Sequence, residues 1–357
     1  MKRLLLASTN KWASIARLPS TFGPSGFEVH ALVKGDSPLA ASSWLTSRTV
    51  VKGSIENLVA RLLDMAGDYD RVIACDENVL LALLSSADTR VDALLPAPRD
   101  AMRALMDKTL FPDAARAGGV RVPRSCVAAR ADEVAEAVRD LGTPVVIKGT
   151  VGVGGFAVRG ADDAEAAIEA AIGLGFPVLV EEMVRGTVGL MPCLFERGVL
   201  VAALAAAKVR TARPFGPSTI SGPVRVDDMK RAALERAGRV FGLHGFVSLD
   251  YFEAQDGGEP IFIEINPRPV PQLHLGRRVG ADMAAALNDA LDGGVSGEPR
   301  LAGQGRDVVL FPQELHRRVL EGGRARGTVR WLLTPGALVD IPWNDMALVR
   351  RHVSRLD

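Results

Sequence analysis

The chain has 357 residues, of which 48% are apolar and 24% charged. At roughly 150 residues per domain this is material for two or three globular domains with a large buried core, which excludes a disordered or fibrous chain. Forty-three Lys and Arg against 42 Asp and Glu leave a formal charge of +1, so no global electrostatic case exists for a nucleic acid or a membrane surface as partner.

In chain order, the apolar run after Met1-Lys2-Arg3 is too brief for a signal peptide and predicts a strand over 4–7 that ends at Ser8-Thr9-Asn10. Residues 27–33 (FEVHALV) predict a second strand, 55–65 a helix, and 71–75 (RVIAC) a third strand running into Asp76-Glu77. Strands alternating with helices point to a small parallel α/β unit, with Pro96-Ala97-Pro98 as its closing linker. A single helix is expected over 100–119, carrying Asp107-Lys108 and ended by Gly118-Gly119, and Val120-Arg121-Val122-Pro123 leads into another strand. Residues 131–141 predict an amphipathic helix whose Asp132 and Glu133 suit the positive end of the helix dipole. A β-branched strand over 145–148 runs into the glycine-rich turn 149–155, and 158–159 begin the return strand. A helix over 162–173 and a strand over 177–182 follow.

The run 199–207 predicts a strand. It is the longest apolar stretch and stops at Lys208, well short of the about 20 residues a membrane span needs. A helix over 229–241, strands over 246–252 and 260–266 and a helix over 282–291 complete the readable part, and the tail is mixed. Trp331 and Trp343 in that tail read as packing residues. The three cysteines (Cys75, Cys126 and Cys193) lie too far apart for a disulfide framework or a zinc spacing. They are expected to be buried, inert thiols, and the expected compartment is the cytoplasm.

Three segments carry chemistry. In 246–268, Asp256-Gly257-Gly258 is a hairpin turn signal between two strands. Glu264 and Asn266 are two apart and share one face, and Asp250 on the partner strand can lie on that face too. Two carboxylates and an amide oxygen make a hard-oxygen site that suits Mg²⁺. Arg268, directly after Pro267, offers a fixed guanidinium for phosphate oxygens. A solvated acidic strand face reads the same residues equally well. In the second segment, Lys148 precedes Gly149, Gly152, Gly154 and Gly155, a turn whose bare N–H groups can approach an anion. It is not a Walker loop, and a tight turn alone gives the same pattern. In the third, Glu181-Glu182 before Met183-Val184 reads either as an interdomain hinge offering backbone groups to an adenine or as a strand before a helix cap.

Asp107-Lys108, GVRVP at 119–123, PVVIKGTVGVGG at 144–155, LVEEMVRG at 179–186, FVSLDYF at 246–252 and FIEINPRP at 262–269 occur in this order. The set resembles the ATP-grasp superfamily over residues 100–290, and its Asn-Pro-Arg resembles the biotin carboxylase and carbamoyl-phosphate synthase branch. The resemblance implies an α/β chain: a preATP-grasp, Rossmann-like parallel α/β domain over 1–98, then a two-lobed α+β ATP-grasp domain. Its small lobe would span 99–184 and its large lobe, with the metal site, 185–300, with a segment over 301–357 packing on the large lobe. It further implies that Lys108 and Lys148 contact ATP phosphates and that Gly152, Gly154 and Gly155 belong to the loop closing over them. Glu181, Glu182 and Val184 would form the adenine hinge, and Asp250, Glu264 and Asn266 the magnesium ligands. Arg268 would stabilise the transferring phosphoryl group.

One departure stands out. Many relatives carry a ribose-binding Glu two residues after the hinge glycine, whereas here Gly186 is followed by Thr187 and Val188, leaving Glu181 or a water as the expected substitute. The Asp250–Glu264 spacing is also a residue or two longer than in some relatives, an excess assigned to the turn. Residues 205–222 look like the strand and loop before the substrate pocket of carboxylate–amine ligases. That likeness makes Lys208 a second expected catalytic residue beside Arg268 and places Arg210 or Arg213 on a substrate carboxylate, with Ser218 and Thr219 along the loop. A solvated basic loop is the equal alternative. His274 reads as a structural histidine rather than a base.

The implied activity is ATP-dependent carboxylate–amine ligation through an acyl phosphate, on amino acids or a small peptide or acid. ATP and Mg²⁺ (or Mn²⁺) are the implied cofactors, small-molecule carboxylates and amines the partners, and a homodimer one implied assembly. Two other readings stay open: bicarbonate or carbamate phosphorylation, and a nucleotide-binding module without catalysis. The complete Asp250, Glu264, Asn266 and Arg268 set argues against the module.

Overall fold

The apolar run after Arg3 folds as β1 (Lys2–Ser8), buried along nearly its whole length, as a strand covered on both faces must be. β2 (Phe27–Lys34), β3 (Leu45–Val51) and β4 (Arg71–Ala74) pair with it in parallel, in the order β3-β2-β1-β4. This computed structural model describes residues 1–9, 15–150, 155–293 and 297–354. Around the first sheet lie α1 (Leu18–Phe22), α2 (Ile55–Ala66) and α3 (Glu77–Ser85). Asp76 caps α3 by accepting the Val79 N–H, the usual way an aspartate satisfies an orphan helix donor.

Two short helices follow, α4 (Arg99–Met106) and α5 (Phe111–Ala117). The single helix expected over 100–119 is therefore broken at Asp107. Its backbone is extended there, and its carboxylate instead takes the Thr109 N–H (2.8 Å) and hydroxyl (2.6 Å). Pro112 in the first turn of α5 favours a fresh start over continuation. Next come β5 (Ser125–Ala128), α6 (Ala131–Leu141), β6 (Val145–Gly149), β7 (Val158–Ala161), α7 (Ala164–Leu174) and β8 (Val178–Glu182). They form an antiparallel sheet, β5-β8-β6-β7, with α6 and α7 packed on it. This small lobe has its own apolar core of Val134, Val138, Val145, Ile147, Val178 and Val180 among others.

The large lobe contributes β9 (Val188–Glu196), β10 (Val199–Ala203), β11 (Ala205–Thr211), β12 (Ser218–Val224), α8 (Asp228–Phe241), β13 (Gly245–Phe252), β14 (Ile261–Asn266) and α9 (Met283–Gly293). The tail adds β15 (Arg300–Leu301), β16 (Val308–Val309), α10 (Gln313–Gly322), α11 (Arg324–Leu332), β17 (Leu338–Val339) and α12 (Met346–Val353). The main path of this sheet runs β14-β13-β9-β11-β12-β16-β17, with β10 paired to β9 and β15. The strand expected over 199–207 is two strands, because β9 changes partner: Gly189 and Leu190 pair with β11, Cys193 to Glu196 with β10. Pro192 sits at that switch, its carbonyl accepting the Leu204 N–H, where its missing donor interrupts no ladder.

The first domain and the large lobe share one continuous core, from Leu4 and Leu32 to Leu249 and Leu287. Phe22 and Phe246 meet across it with ring centroids 5.4 Å apart. The tail contacts both units rather than the large lobe alone. The buried Asp340 carboxylate accepts from Arg17 (3.0 Å) and His274 (2.7 Å), and Asp345 accepts the Ser43 N–H (3.0 Å). Burial opposes ionisation of Asp340, but His274, Arg17 and Arg278 outweigh it and hold its carboxyl well below the usual range. Trp331 is buried, whereas Trp343, expected as a packing residue, is 70% exposed.

Cys75 and Cys193 are buried, and burial pushes both thiols well up. Cys126 is exposed on β5, contrary to the expectation that all three are buried. Iodoacetamide on the native protein is therefore expected to alkylate Cys126 alone, with Cys75 and Cys193 modified only after denaturation. Peptide mass mapping reads this directly, and native labelling of Cys75 would contradict the burial. Among the described residues no helix is long and apolar enough to cross a membrane.

Candidate active site

β13 and β14 are antiparallel, and their register sets Asp250 directly opposite Glu264 and Ser248 opposite Asn266. Facing positions on such a pair bring their side chains together. The register slips between Asp250 and Tyr251, where Ile263 is the extra residue on β14. This bulge absorbs one residue of the long Asp250–Glu264 spacing that had been assigned to the turn. Asn266 donates from Nδ2 to Glu264 Oε1 (3.0 Å), which fixes the amide beside the carboxylate.

Ammonium groups converge on these oxygens from two directions. Lys208 of β11 reaches Asp250 at 2.6 Å, and Lys108, in the break between α4 and α5, reaches Glu264 at 3.3 Å. Burial works against the Glu264 carboxylate, but Lys108, the Asn266 amide, Lys148 and Lys208 together hold it down at about 2. Burial pushes its neighbour Asp250 up, with Lys208 opposing and Glu264 adding to the rise. Burial likewise disfavours the charged Lys208, yet Asp250 outweighs it and the ammonium stays protonated above its ordinary value. Two adjacent carboxylates that already draw in two cations form a site that wants positive charge.

Facing them from the small lobe, Lys148 at the end of β6 meets Glu181 of β8 at 2.5 Å, both side chains almost fully buried. Burial raises the Glu181 carboxyl, and Lys148 pulls it back only in part. The Glu181 carboxylate, the expected substitute ribose ligand, is engaged by Lys148. Glu182 points the other way and pairs with Arg124 (2.9 Å). Beyond it the chain leaves the sheet, with the Met183 N–H donating to the Pro144 carbonyl (3.2 Å) before Val184. Lys108, Lys148, Leu179, Glu264 and Asn266 line one small cavity between the lobes.

Arg268 donates from Nε to Glu77 Oε1 (2.6 Å) and from its terminal nitrogen to Asn266 Oδ1 (3.4 Å). Glu77 opens α3, and the preceding Asp76 also takes the Ser8 hydroxyl (2.7 Å) and the Thr9 N–H (2.7 Å). The carboxyl ends of β1 and β4, where open parallel sheets bind ligands, therefore meet the end of β14 through Glu77 and Arg268. Sequence reasoning did not assign Glu77 to the site. Its signal was an acidic pair at the end of a predicted parallel strand.

The other expected residues fall as follows. Gly152 and Gly154 lie outside the described residues. Gly155 adopts φ 78°, and an added Cβ would run into the Phe215 carbonyl, so only glycine fits. Arg213 stacks on the Phe156 ring, 3.4 Å from its centroid, and Arg210 lies 3.9 Å from Glu314. Neither guanidinium is among the groups gathered around Asp250 and Glu264. Ser218 and Thr219 are buried, and His274 bridges Asp340 and the Pro271 carbonyl, the structural role expected of it.

Asp250, Glu264 and Asn266 fit a hard divalent cation by the chemistry of their donors: one strongly ionised carboxylate, a second beside it and an amide oxygen. Among the described residues no group of three or more His, Cys, Asp or Glu is placed to hold a metal.

Residues 105–271 match the family model of the ATP-grasp domain. A probable alpha-L-glutamate ligase of Psychromonas ingrahamii is 30% identical over 160 residues, 42% of this chain and 51% of that protein. One of Teredinibacter turnerae is 32% identical over 160 residues, 42% of this chain and 52% of its own length. The chain spans about half the length of the curated relatives it matches. Among solved structures, biotin carboxylase from Campylobacter jejuni superposes with a TM-score of 0.68 at 14% identity, covering 86% of this chain and 74% of that one. An L-amino acid ligase from Bacillus licheniformis gives 0.61 at 18% identity, covering 86% and 78%. These two likenesses establish the shared fold.

Proposed function

For a chain whose residues 105–271 form an ATP-grasp domain, a family whose members bind ATP and divalent metals, we propose an ATP-dependent ligase that joins a carboxylate to an amine. In this reading a substrate carboxylate oxygen takes the γ-phosphoryl group of ATP, releasing ADP. The amine nitrogen then attacks the acyl carbon of the acyl phosphate, phosphate leaves and the amine gives up a proton. The observation that carries the reading is the meeting of Asp250, Glu264 and Asn266 with Lys108, Lys208 and Arg268 across the cleft from Lys148. Phosphoryl transfer needs positioning and charge neutralisation more than a protein nucleophile, and this set supplies both.

Asp250, Glu264 and Asn266 would hold Mg²⁺, which when bound neutralises triphosphate oxygens. Lys148 would approach the phosphates from the small-lobe side and Lys108 from beside Glu264. Backbone groups of Glu182 and Val184 would face the adenine. Lys208, held on Asp250, and Arg268, held on Glu77, would address the transferring phosphoryl group and the carboxylate that receives it. The names of the relatives make L-glutamate the first substrate to try, as acid or as amine. ADP release by the purified protein should require both a carboxylic acid and an amine, with L-glutamate among the pairs screened. Release that needs bicarbonate alone would move the reading to carboxylation chemistry.

The Glu77–Arg268 contact gives a further expectation. Glu77→Ala frees the guanidinium, so the maximal rate should fall about 10- to 100-fold, as for removal of a group that orients a functional residue, while ATP affinity by calorimetry stays unchanged. Equal losses in both would mean that Glu77 only supports the fold.

A further inference from the structure

A second cleft borders the bend at Pro267 and Pro269 but shares no charged residue with the cavity between the lobes. It encloses about 1020 Å³ between the first domain and the large lobe. A neighbouring chamber of about 730 Å³ shares Ala93, Leu95, Arg197 and His244 with it, so the two meet at Arg197. Together they are ample for a small molecule. Leu63, Val72, Phe246 and Leu287 give the larger chamber an apolar wall.

The charges on its walls nearly cancel. Arg71 binds Glu196 (2.6 Å) and His244 (2.8 Å), and His244 lies 3.2 Å from Glu196. Arg90 pairs with Asp88 and Arg99 with Asp92, while Asp70 accepts the Arg3 N–H. Arg197 has no ion pair among the described residues, and it stands where the chambers join. It is also one of two non-glycine residues with positive φ among the described residues, at 49°. Asn or Gly would occupy that turn between β9 and β10 at lower cost, so an arginine kept in a strained backbone position points to a task for its side chain.

We propose that this double cleft is a small-molecule site for a monoanionic carboxylate with an apolar body. The carboxylate pairs with Arg197, and the body lies against Leu63, Leu95 and Phe246. Glu196, Asp70 and Asp92 on the walls repel a phosphate dianion. The site does not depend on nucleotide binding.

The probe is 1-anilinonaphthalene-8-sulfonate, a fluorescent monoanion with an apolar body, titrated into the full chain with and without saturating MgATP. One saturable site per chain is expected, unaffected by MgATP, displaced by N-acetylphenylalanine and not by phenyl phosphate. Arg197→Asn removes the charge and suits the turn, and Ala93→Trp fills the junction from an exposed position. Each should weaken the probe about tenfold or more, the loss expected for one charged hydrogen bond or a blocked site. Undiminished binding in both variants, displacement by MgATP, or displacement by phenyl phosphate in place of the carboxylate would overturn the proposal.

Discussion

Glu264→Gln is expected to lower ADP release by about 10²- to 10³-fold, the scale seen when one preorganised electrostatic group is removed from a reaction centre. The substitution keeps the volume of the side chain and an oxygen for Asn266 Nδ2 to bond. What it removes is the negative charge that Lys108, Lys148 and Lys208 hold ionised down to about 2. Circular dichroism should therefore match the unaltered protein, while the melting temperature falls, because a carboxylate held at about 2 contributes stability at neutral pH that the amide gives up. Near-normal ADP release by a folded Glu264→Gln protein would show that this strand pair does not hold the cation.

Lys148→Ala should destabilise the protein by about 3–5 kcal/mol, because it strands the Glu181 carboxylate, already pushed up by burial, without the ammonium that pairs with it. Replacing both partners, as in Lys148→Met with Glu181→Leu, should recover most of that loss, since an apolar pair of similar volume costs no desolvation. Urea unfolding of the two variants tests this. ATP affinity separates the pair's two roles. It should be lost in both proteins, and an unchanged affinity in the refolded double variant would leave Lys148 with a purely structural part.

Much of this site is legible in the sequence because strand periodicity is strict. Glu264 and Asn266 are two residues apart on a run that can only be a strand, and Asp250 follows from the hairpin at Asp256-Gly257-Gly258. The helix 131–141 and the strand ending at Glu182 are equally plain, each bounded by its own turn residues. Legibility fails where a tertiary partner decides. The break at Asp107 depends on a side chain choosing Thr109 over the helix, and β9 is hidden by a proline that is harmless only because two other strands part beside it. Glu77 is only half legible for the same reason: its place at a strand end shows, but nothing near it in sequence tells that Arg268, 191 residues on, will seek it. The Lys148–Glu181 pair is likewise hidden, since only the antiparallel pairing of β6 with β8 brings residues 33 apart into contact.

The separate apolar core of the small lobe has a mechanical consequence. The first domain and the large lobe are welded by one interior, so they behave as an anvil of fixed shape, with Glu77, Arg268, Asp250, Glu264 and Asn266 all mounted on it. The small lobe coheres by its own side chains, so as a jaw carrying Lys148 it can shift against the anvil without unpacking either interior. A guest wedged between the two welded parts meets the same walls whether the jaw stands raised or lowered, so its recognition and the grip on nucleotide can be altered one at a time.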